Sequence, residues 1–486
     1  KVIQQNEKFQ LTNWEIVSVN PVDKNWDWKD FFCFWAVNIQ SIIGFSLIAS
    51  LYIVYDLNFF VVLSASLFAS LLVYFFSNLI GNLSQKHGIP FVVFLRTSIG
   101  LSAAKYFGML RGLIGIFFFG VQTFFISKSI VYLIRITLFS IDPNLLNKEI
   151  FLLYFMALNL IDWVALLFTF FFQYLLFSKN QHLTKKLIKF SGIFVYFGLI
   201  LFLIMIVSEH GTVLINRFNQ LIDSNITFEK NSILQFISIT GTMFAFFSIV
   251  ILNFGDFSRY AKNQKELNRG NLTLIFNLIV FSLLSVLITL GADIILNSNL
   301  TEAGKLLTNP TDIIGKFNNA YLTIVALFFI LVASMSTNLI ANYIPSQNTL
   351  LNFLPNKLTL KSSGFIIFFI SLFIAVFWLP LLSQIGILSF IDTIGAFFGP
   401  IFGLMICDYY LIKKKIIINK DIFSSKPESS YMYSNGWHIK AVYSVLIGFL
   451  FSASTIWNID LRFLQSYSWI IGAFVTYITY YLLASR

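Results

Sequence analysis

The sequence predicts an all-α membrane protein of twelve transmembrane helices. Three observations predict it. The chain of 486 residues is 57% hydrophobic and only 11% charged, with a mean hydropathy of +0.79. A soluble protein cannot hide that much apolar surface, whereas a bilayer accommodates it. Twelve apolar stretches are long enough to span hydrocarbon, which takes about 20 residues each. Finally, basic residues alternate between connections as the positive-inside bias requires.

The elements follow in order. Residues 1–28 are polar and charged and lack the apolar core of a cleavable signal, so they read as a cytoplasmic segment. Spans are expected near 30–54, 58–81, 102–134, 150–177, 187–208 and 232–256, then near 271–296, 317–344, 364–381, 384–412, 439–457 and 466–484. Connections after even-numbered spans carry Lys86 and Arg96, then Lys179, Lys185, Lys186 and Lys189, then Arg259, Lys262, Lys265 and Arg269. Lys357 and Lys361 follow, and then the run Lys413-Lys414-Lys415 with Lys420 and Lys426. The odd connections are poorer in Lys and Arg and diluted by acids. Both termini are therefore expected in the cytoplasm of a multi-pass protein of the plasma or inner membrane. The net charge of +11 then reflects loops facing an anionic leaflet and not a nucleic-acid surface.

Spans one and six do not read as unbroken helices. Span one carries Asn38, Gln40 and Ser41 at mid-depth; span six carries Thr240, Gly241 and Thr242 and ends Leu252-Asn253-Phe254-Gly255-Asp256. Interrupted spans in equivalent positions of two halves point to a transporter site. The transport core is placed at 29–412, with repeats at about 29–208 and 232–412, a cytoplasmic loop at 413–438 and two helices in 439–486.

Polar groups at membrane depth face a bundle interior or a water-filled path, and residues 333–342 of span eight carry five. At 100° per residue, Ala333, Ser336 and Thr337 share one arc while Ser334, Asn338 and Asn342 fall on another. One face offers hydroxyls and the other amides. Cys33 and Cys407 lie in apolar stretches and read as free buried thiols. All four histidines fall in or beside polar connections, which argues against an intramembrane metal or haem centre and against a membrane-embedded enzyme.

Several segments carry a family resemblance. They are His87-Gly88-Ile89-Pro90-Phe91 with Leu95-Arg96-Thr97-Ser98-Ile99-Gly100, then Phe118-Phe119-Gly120-Val121-Gln122-Thr123-Phe124, then Leu252 to Tyr260. Gly399-Pro400-Ile401-Phe402-Gly403 through Tyr410 and Tyr431-Met432-Tyr433-Ser434-Asn435-Gly436-Trp437 complete the set. In order and spacing, from about residue 24 onward, the chain resembles the nucleobase–cation symporter-1 family of hydantoin, allantoin, cytosine and uracil permeases. The resemblance implies the LeuT-type fold, a five-plus-five inverted repeat with two additional C-terminal helices, in which a bundle of spans 1, 2, 6 and 7 rocks against a hash-like motif of spans 3, 4, 8 and 9. It implies substrate contacts at Phe118, Gln122, Phe247, Asn342 and Gln40, with Phe at the two stacking positions where well-known members carry Trp. It also implies a sodium site from the carbonyls of Ala36, Ile39 and Ala333 and the hydroxyls of Ser336 and Thr337. The helical-wheel reading separates that hydroxyl face from Asn342 independently.

Flat rings above and below and amides at the edge suit a planar heterocycle. No charged residue stands at these positions, so a neutral nucleobase, hydantoin or allantoin is expected as substrate, with Na+ as coupling ion and no other cofactor. The chain is expected to work as a monomer in the lipid bilayer. The rival readings are a proton-coupled permease for a vitamin-like ring, with Asp162 in span four titrating near Lys128, and a transport-inactive sensor.

Overall fold

In the computed structural model, which describes residues 13–179, 181–223, 231–297 and 306–485, the chain forms helices long and apolar enough for twelve membrane crossings when one bent pair is taken as a single span. That pair is span one. Trp28–Ile39 and Ile42–Val54 meet at 70°. The first half starts at a capping box, in which the Asp27 side chain accepts from Lys29 N and Asp30 N. It stops because Ser41 N turns back to the Ile39 carbonyl at 2.8 Å, after which the Ser41 hydroxyl caps the second half by accepting from Gly44 N.

Span six differs from the expected pattern. Thr240, Gly241 and Thr242 lie inside an unbroken helix, Ser232–Leu252, and the interruption comes lower, at Asn253 and Phe254, before the turn Gly255–Ser258. Span four starts at Leu160 and not near 150, because Asn159 and Asp162 form a capping box there. The preceding residues make a two-residue hairpin, Tyr154–Phe155 against Leu158–Asn159. Asp162 thus sits in a first helical turn, 3.2 Å from Lys128 Nζ, and not at the mid-depth that a proton relay asks for. Span eight runs on to Phe353 through a π-helical turn at Leu339–Tyr343.

The family-like motifs prove to be packing and capping devices. A Cβ at Gly399 would collide with the Trp469 carbonyl, and one at Gly403 with the Ala473 carbonyl, so these glycines let span ten touch span twelve backbone to backbone. A re-entrant helix, Phe91–Ile99, follows span two, and the Asp256 carboxylate caps it by accepting from Phe91 N at 3.1 Å. Gly100, at φ 101°, ends that helix. The Gly436 carbonyl then accepts from Ser102 N (2.9 Å) and Ala103 N (3.1 Å) at the start of span three.

The connections on the lysine-rich side clasp one end of the molecule. Trp26 exchanges backbone hydrogen bonds with Tyr260 and Lys262, both 2.9 Å. Lys185 pairs with Asp30 at 3.1 Å, and Asn13 Nδ2 donates to the Leu358 carbonyl at 2.6 Å. The opposite end is open.

Candidate functional site

A cavity of about 750 Å³ enters from that open end, between spans one, three, six, eight and ten. Its mouth carries Asp392, Arg462 and Gln465; its inner part is lined by Asn38, Phe118, Gln122, Phe247, Thr337 and Asn342. Four of the five expected substrate residues therefore meet at one place. Gln40 does not join them. Its Nε2 donates to the Gly192 carbonyl of span five at 3.1 Å, and it lines a separate small apolar cavity of about 80 Å³. At the bend the Gln40 amide turns toward span five, while Ser41 lines both cavities and Asn38 reaches the large one.

Phe118 is half-buried, whereas Phe247 is 1% exposed and meets Trp35 edge-on at 6.3 Å. One ring is a free face and the other a packed wall.

The amides form a chain. Asn342 Nδ2 donates to Gln122 Oε1 and to Asn338 Oδ1, both at 2.9 Å. Asn338 in turn donates to Thr123 Oγ1 (3.1 Å) and Gln173 Oε1 (3.2 Å), and Gln173 donates to Thr123 at 3.0 Å. Asn338, Thr123 and Gln173 are fully buried, so they fix the orientation of Asn342 and touch nothing in the cavity. Sequence reading placed Asn338 on the amide arc but missed Gln173 and Thr123; a Thr and a Gln on greasy spans three and four were the available signal. Because Asn342 and Gln122 bond each other, the pair keeps one donor, Gln122 Nε2, and one acceptor, Asn342 Oδ1, without a partner among the described residues. That is the complement of a ring edge bearing one N–H and one C=O. Asn38, whose Nδ2 is taken by the Phe34 carbonyl at 2.9 Å, adds an acceptor oxygen across the cavity.

The other face of span eight meets the broken end of span one. Thr337 Oγ1 donates to the Val37 carbonyl at 2.7 Å and lies 3.0 Å from the Ala333 carbonyl. Val37 is a free acceptor because Ser41 N has gone to Ile39, which leaves a helix-terminal carbonyl without its N–H. The Ala36 carbonyl is engaged by Gln40 N at 2.9 Å. Ser336 Oγ is 2.5 Å from Ser191 Oγ of span five and donates to the Val332 carbonyl at 2.7 Å. Neutral oxygens thus gather at the negative end of a helix dipole, a setting that favours a hard monovalent cation. Ser191 was not foreseen; one Ser on span five carries no signal by itself.

Span eight owes its shape to Pro345. Proline has no N–H, so the Ala341 carbonyl one turn earlier loses its helical partner, and the helix widens into the π turn over Leu339–Tyr343. Arg111 Nη2 takes the freed Ala341 carbonyl at 2.5 Å.

Comparison with known proteins identifies the family. The family described as permease for cytosine/purines, uracil, thiamine and allantoin matches residues 18–482. The chain is 25% identical to the allantoin permease of Bacillus subtilis (strain 168) over 99% of this chain and 94% of that protein. It is 24% identical to the purine-uracil permease NCS1 of Arabidopsis thaliana over 98% and 78% respectively. In three dimensions it is similar to Mhp1, a nucleobase-cation-symport-1 family transporter in a closed conformation with bromovinylhydantoin bound. That match has a TM-score of 0.72 at 16% identity, covering 98% of this chain and 96% of that one. The inward facing conformation of Mhp1 superposes with a TM-score of 0.67 at 15% identity, over 99% and 95%. With a family match over nearly its whole length and the LeuT-type fold, this multi-pass chain belongs to the nucleobase–cation symporter-1 family of cytosine/purine, uracil, thiamine and allantoin permeases, and is a transporter and not an enzyme.

Proposed function

We propose that this chain imports a neutral, planar ring with a cis-amide or ureide edge, of the nucleobase, hydantoin or allantoin class, together with Na+, by alternating access. The observation that carries the reading is the hydrogen-bonded pair Gln122–Asn342, which offers one donor and one acceptor into a cavity walled by Phe118 and Phe247. The relatives named for allantoin and for purines and uracil transport rings with that edge. Sodium is supported by the oxygen cluster of Thr337, Ser336, Ala333 and Val37, with the Ala36 and Ile39 carbonyls beside it at the span-one break. It is supported further by the position of Asp162, which is paired with Lys128 at a helix start and outside the lining of the large cavity; the Ala36 and Ile39 carbonyls accept from Gln40 N and Ser41 N.

With the lysine-rich connections in the cytoplasm of a plasma or inner membrane, the open cavity faces outward and the clasped end inward. In this reading Na+ joins span one to span eight and holds the outward-open form. The ring then bonds Gln122 and Asn342, and the closing of the outer half of span one commits it. In this reading the protein acts as a monomer.

Uptake of labelled allantoin, hydantoin, uracil and hypoxanthine into proteoliposomes, with and without a sodium gradient, tests both parts. Saturable, sodium-driven uptake of at least one ring is expected. Uptake driven equally well by a pH gradient in sodium-free buffer would sink the sodium assignment.

A further inference from the structure

Beneath the cavity lies a buried cation that the ring and ion sites do not use. Arg111 of span three is 0% exposed. Its Nε donates to Asn253 Oδ1 at 2.9 Å and its Nη2 to the Ala341 carbonyl at 2.5 Å, while its guanidinium lies 5.9 Å from the Phe398 ring, a wall of the cavity. Each partner is telling. Asn253 is the residue at which span six breaks. Ala341 is in the π turn and precedes Asn342, so Arg111 sets where the substrate-facing amide sits.

The register places this cluster. Arg111 is seven residues before Phe118, two helical turns down the same face, and Asn253 is six residues after Phe247 on an oppositely directed span. At 1.5 Å per residue both lie about 10 Å below the aromatic pair, toward the clasped end. Spans three and eight belong to the hash motif and span six to the bundle. The Arg111–Asn253 hydrogen bond therefore crosses the boundary between the two moving bodies, on the side that must part to release substrate inward.

The bond is also incomplete. Arg111 Nη1 and Asn253 Nδ2 are both buried without a hydrogen-bond partner. The Asp256 carboxylate acts on the guanidinium through space without a hydrogen bond to it, so the direct tie from Arg111 to Asn253 is a single hydrogen bond to a neutral amide. A carboxylate at position 253 would hold it far better, and the chain carries an amide.

We propose that Arg111 and Asn253 form the inner latch of the transport site, a positioning pair that seats Asn342 through the Ala341 carbonyl and must separate each time the protein opens inward. The idle donors keep the latch weak enough to release in every cycle. Arg111 is a positioning residue, since it acts on the ring through Asn342. The inference rests on the transport reading for its direction but concerns a different step.

Asn253→Asp, which is isosteric, turns the latch into an ion pair and is expected to lock it. Equilibrium binding of whichever of allantoin, hydantoin, uracil or hypoxanthine the unaltered protein takes up fastest should stay within about threefold. Uptake of that ring should fall at least about tenfold. Asn253→Ala should do the reverse to the gate. With Ile344→Cys, beside the small pocket at the clasped end, maleimide labelling should rise in Asn253→Ala and fall in Asn253→Asp relative to the Ile344→Cys protein alone. Arg111→Lys, which keeps charge but cannot bridge both partners, should behave like Asn253→Ala. The labelling arm needs no ring, so it stands even if no ring of the panel is carried. Binding and uptake that fall together in Asn253→Asp, or labelling unchanged in both Asn253 variants, would overturn the latch.

Discussion

The two faces of span eight lie on one helix, about 8 Å apart along its axis, and are made of similarly small polar residues, yet they are held in different ways. The amide face ends in Asn342, whose side chain is locked from behind by Asn338, Thr123 and Gln173 and kept half-free in front. The hydroxyl face has no such backing. Ser336 and Thr337 bond carbonyls of their own helix one turn back and reach across to Ser191 and the Val37 carbonyl. A network that is satisfied from behind gives a rigid donor–acceptor pair, which suits discrimination between ring edges. Hydroxyls that join two spans through one bond each suit an ion whose arrival is meant to pull the spans together. Recognition and coupling are thus separated by rotation around one helix together with about one and a half turns along it.

The comparison can be broken most severely at Asn342. Asn342→Ala leaves Gln122 without its partner and removes the acceptor offered to the ring. The expected loss is about 100-fold in kcat/KM for ring uptake, with sodium-induced thermal stabilisation intact. Loss of both responses would show that the two faces are not separable. Next in size, Ser336→Ala with Thr337→Ala is expected to raise the half-saturating sodium concentration at least about tenfold, since two of the oxygen donors go. The sodium-induced shift in Tm should shrink accordingly by mass action.

Phe118→Ala should weaken ring binding about three- to tenfold, the range an aromatic contact supplies, while Phe118→Trp should preserve it; isothermal titration with the transported ring reads both. Ser191→Ala comes lower, at about a two- to fourfold rise in half-saturating sodium, because Ser336 keeps its bond to the Val332 carbonyl. The smallest effect is expected at Gln40. Gln40→Ala should change the ring KM by less than about twofold, because its amide serves the Gly192 carbonyl. A tenfold change there would mean that Gln40 swings into the large cavity during transport.

Much of this was readable in the chain. Apolar length and lysine placement gave the spans, and the polar residues at 38–41 marked a real break. Periodicity sorted Asn342 from Ser336 and Thr337 because a helix turns 100° per residue whatever surrounds it. Other features were not readable. Span six looked suspect at Thr240-Gly241-Thr242, but those residues face neighbours that satisfy them: Gly241 makes room for Ser466 and Tyr467. Asp162 looked like a mid-membrane acid until an Asn three residues earlier set the helix start. Gln40 had the right composition for a ligand, and one backbone turn sent it elsewhere.

The sequence by itself determined the membrane, the helices and their order, and which side chains share a face, because those follow from hydropathy and from the geometry of one helix; it missed the start of span four and the end of span five by ten residues or more. Only the tertiary structure decided which carbonyl faces which hydroxyl, how Asn342 is braced, and that Arg111 reaches Asn253 and Ala341. Each of these is a contact between spans far apart in the chain. A buried polar atom must find a partner, but the sequence names the need and not the neighbour that meets it.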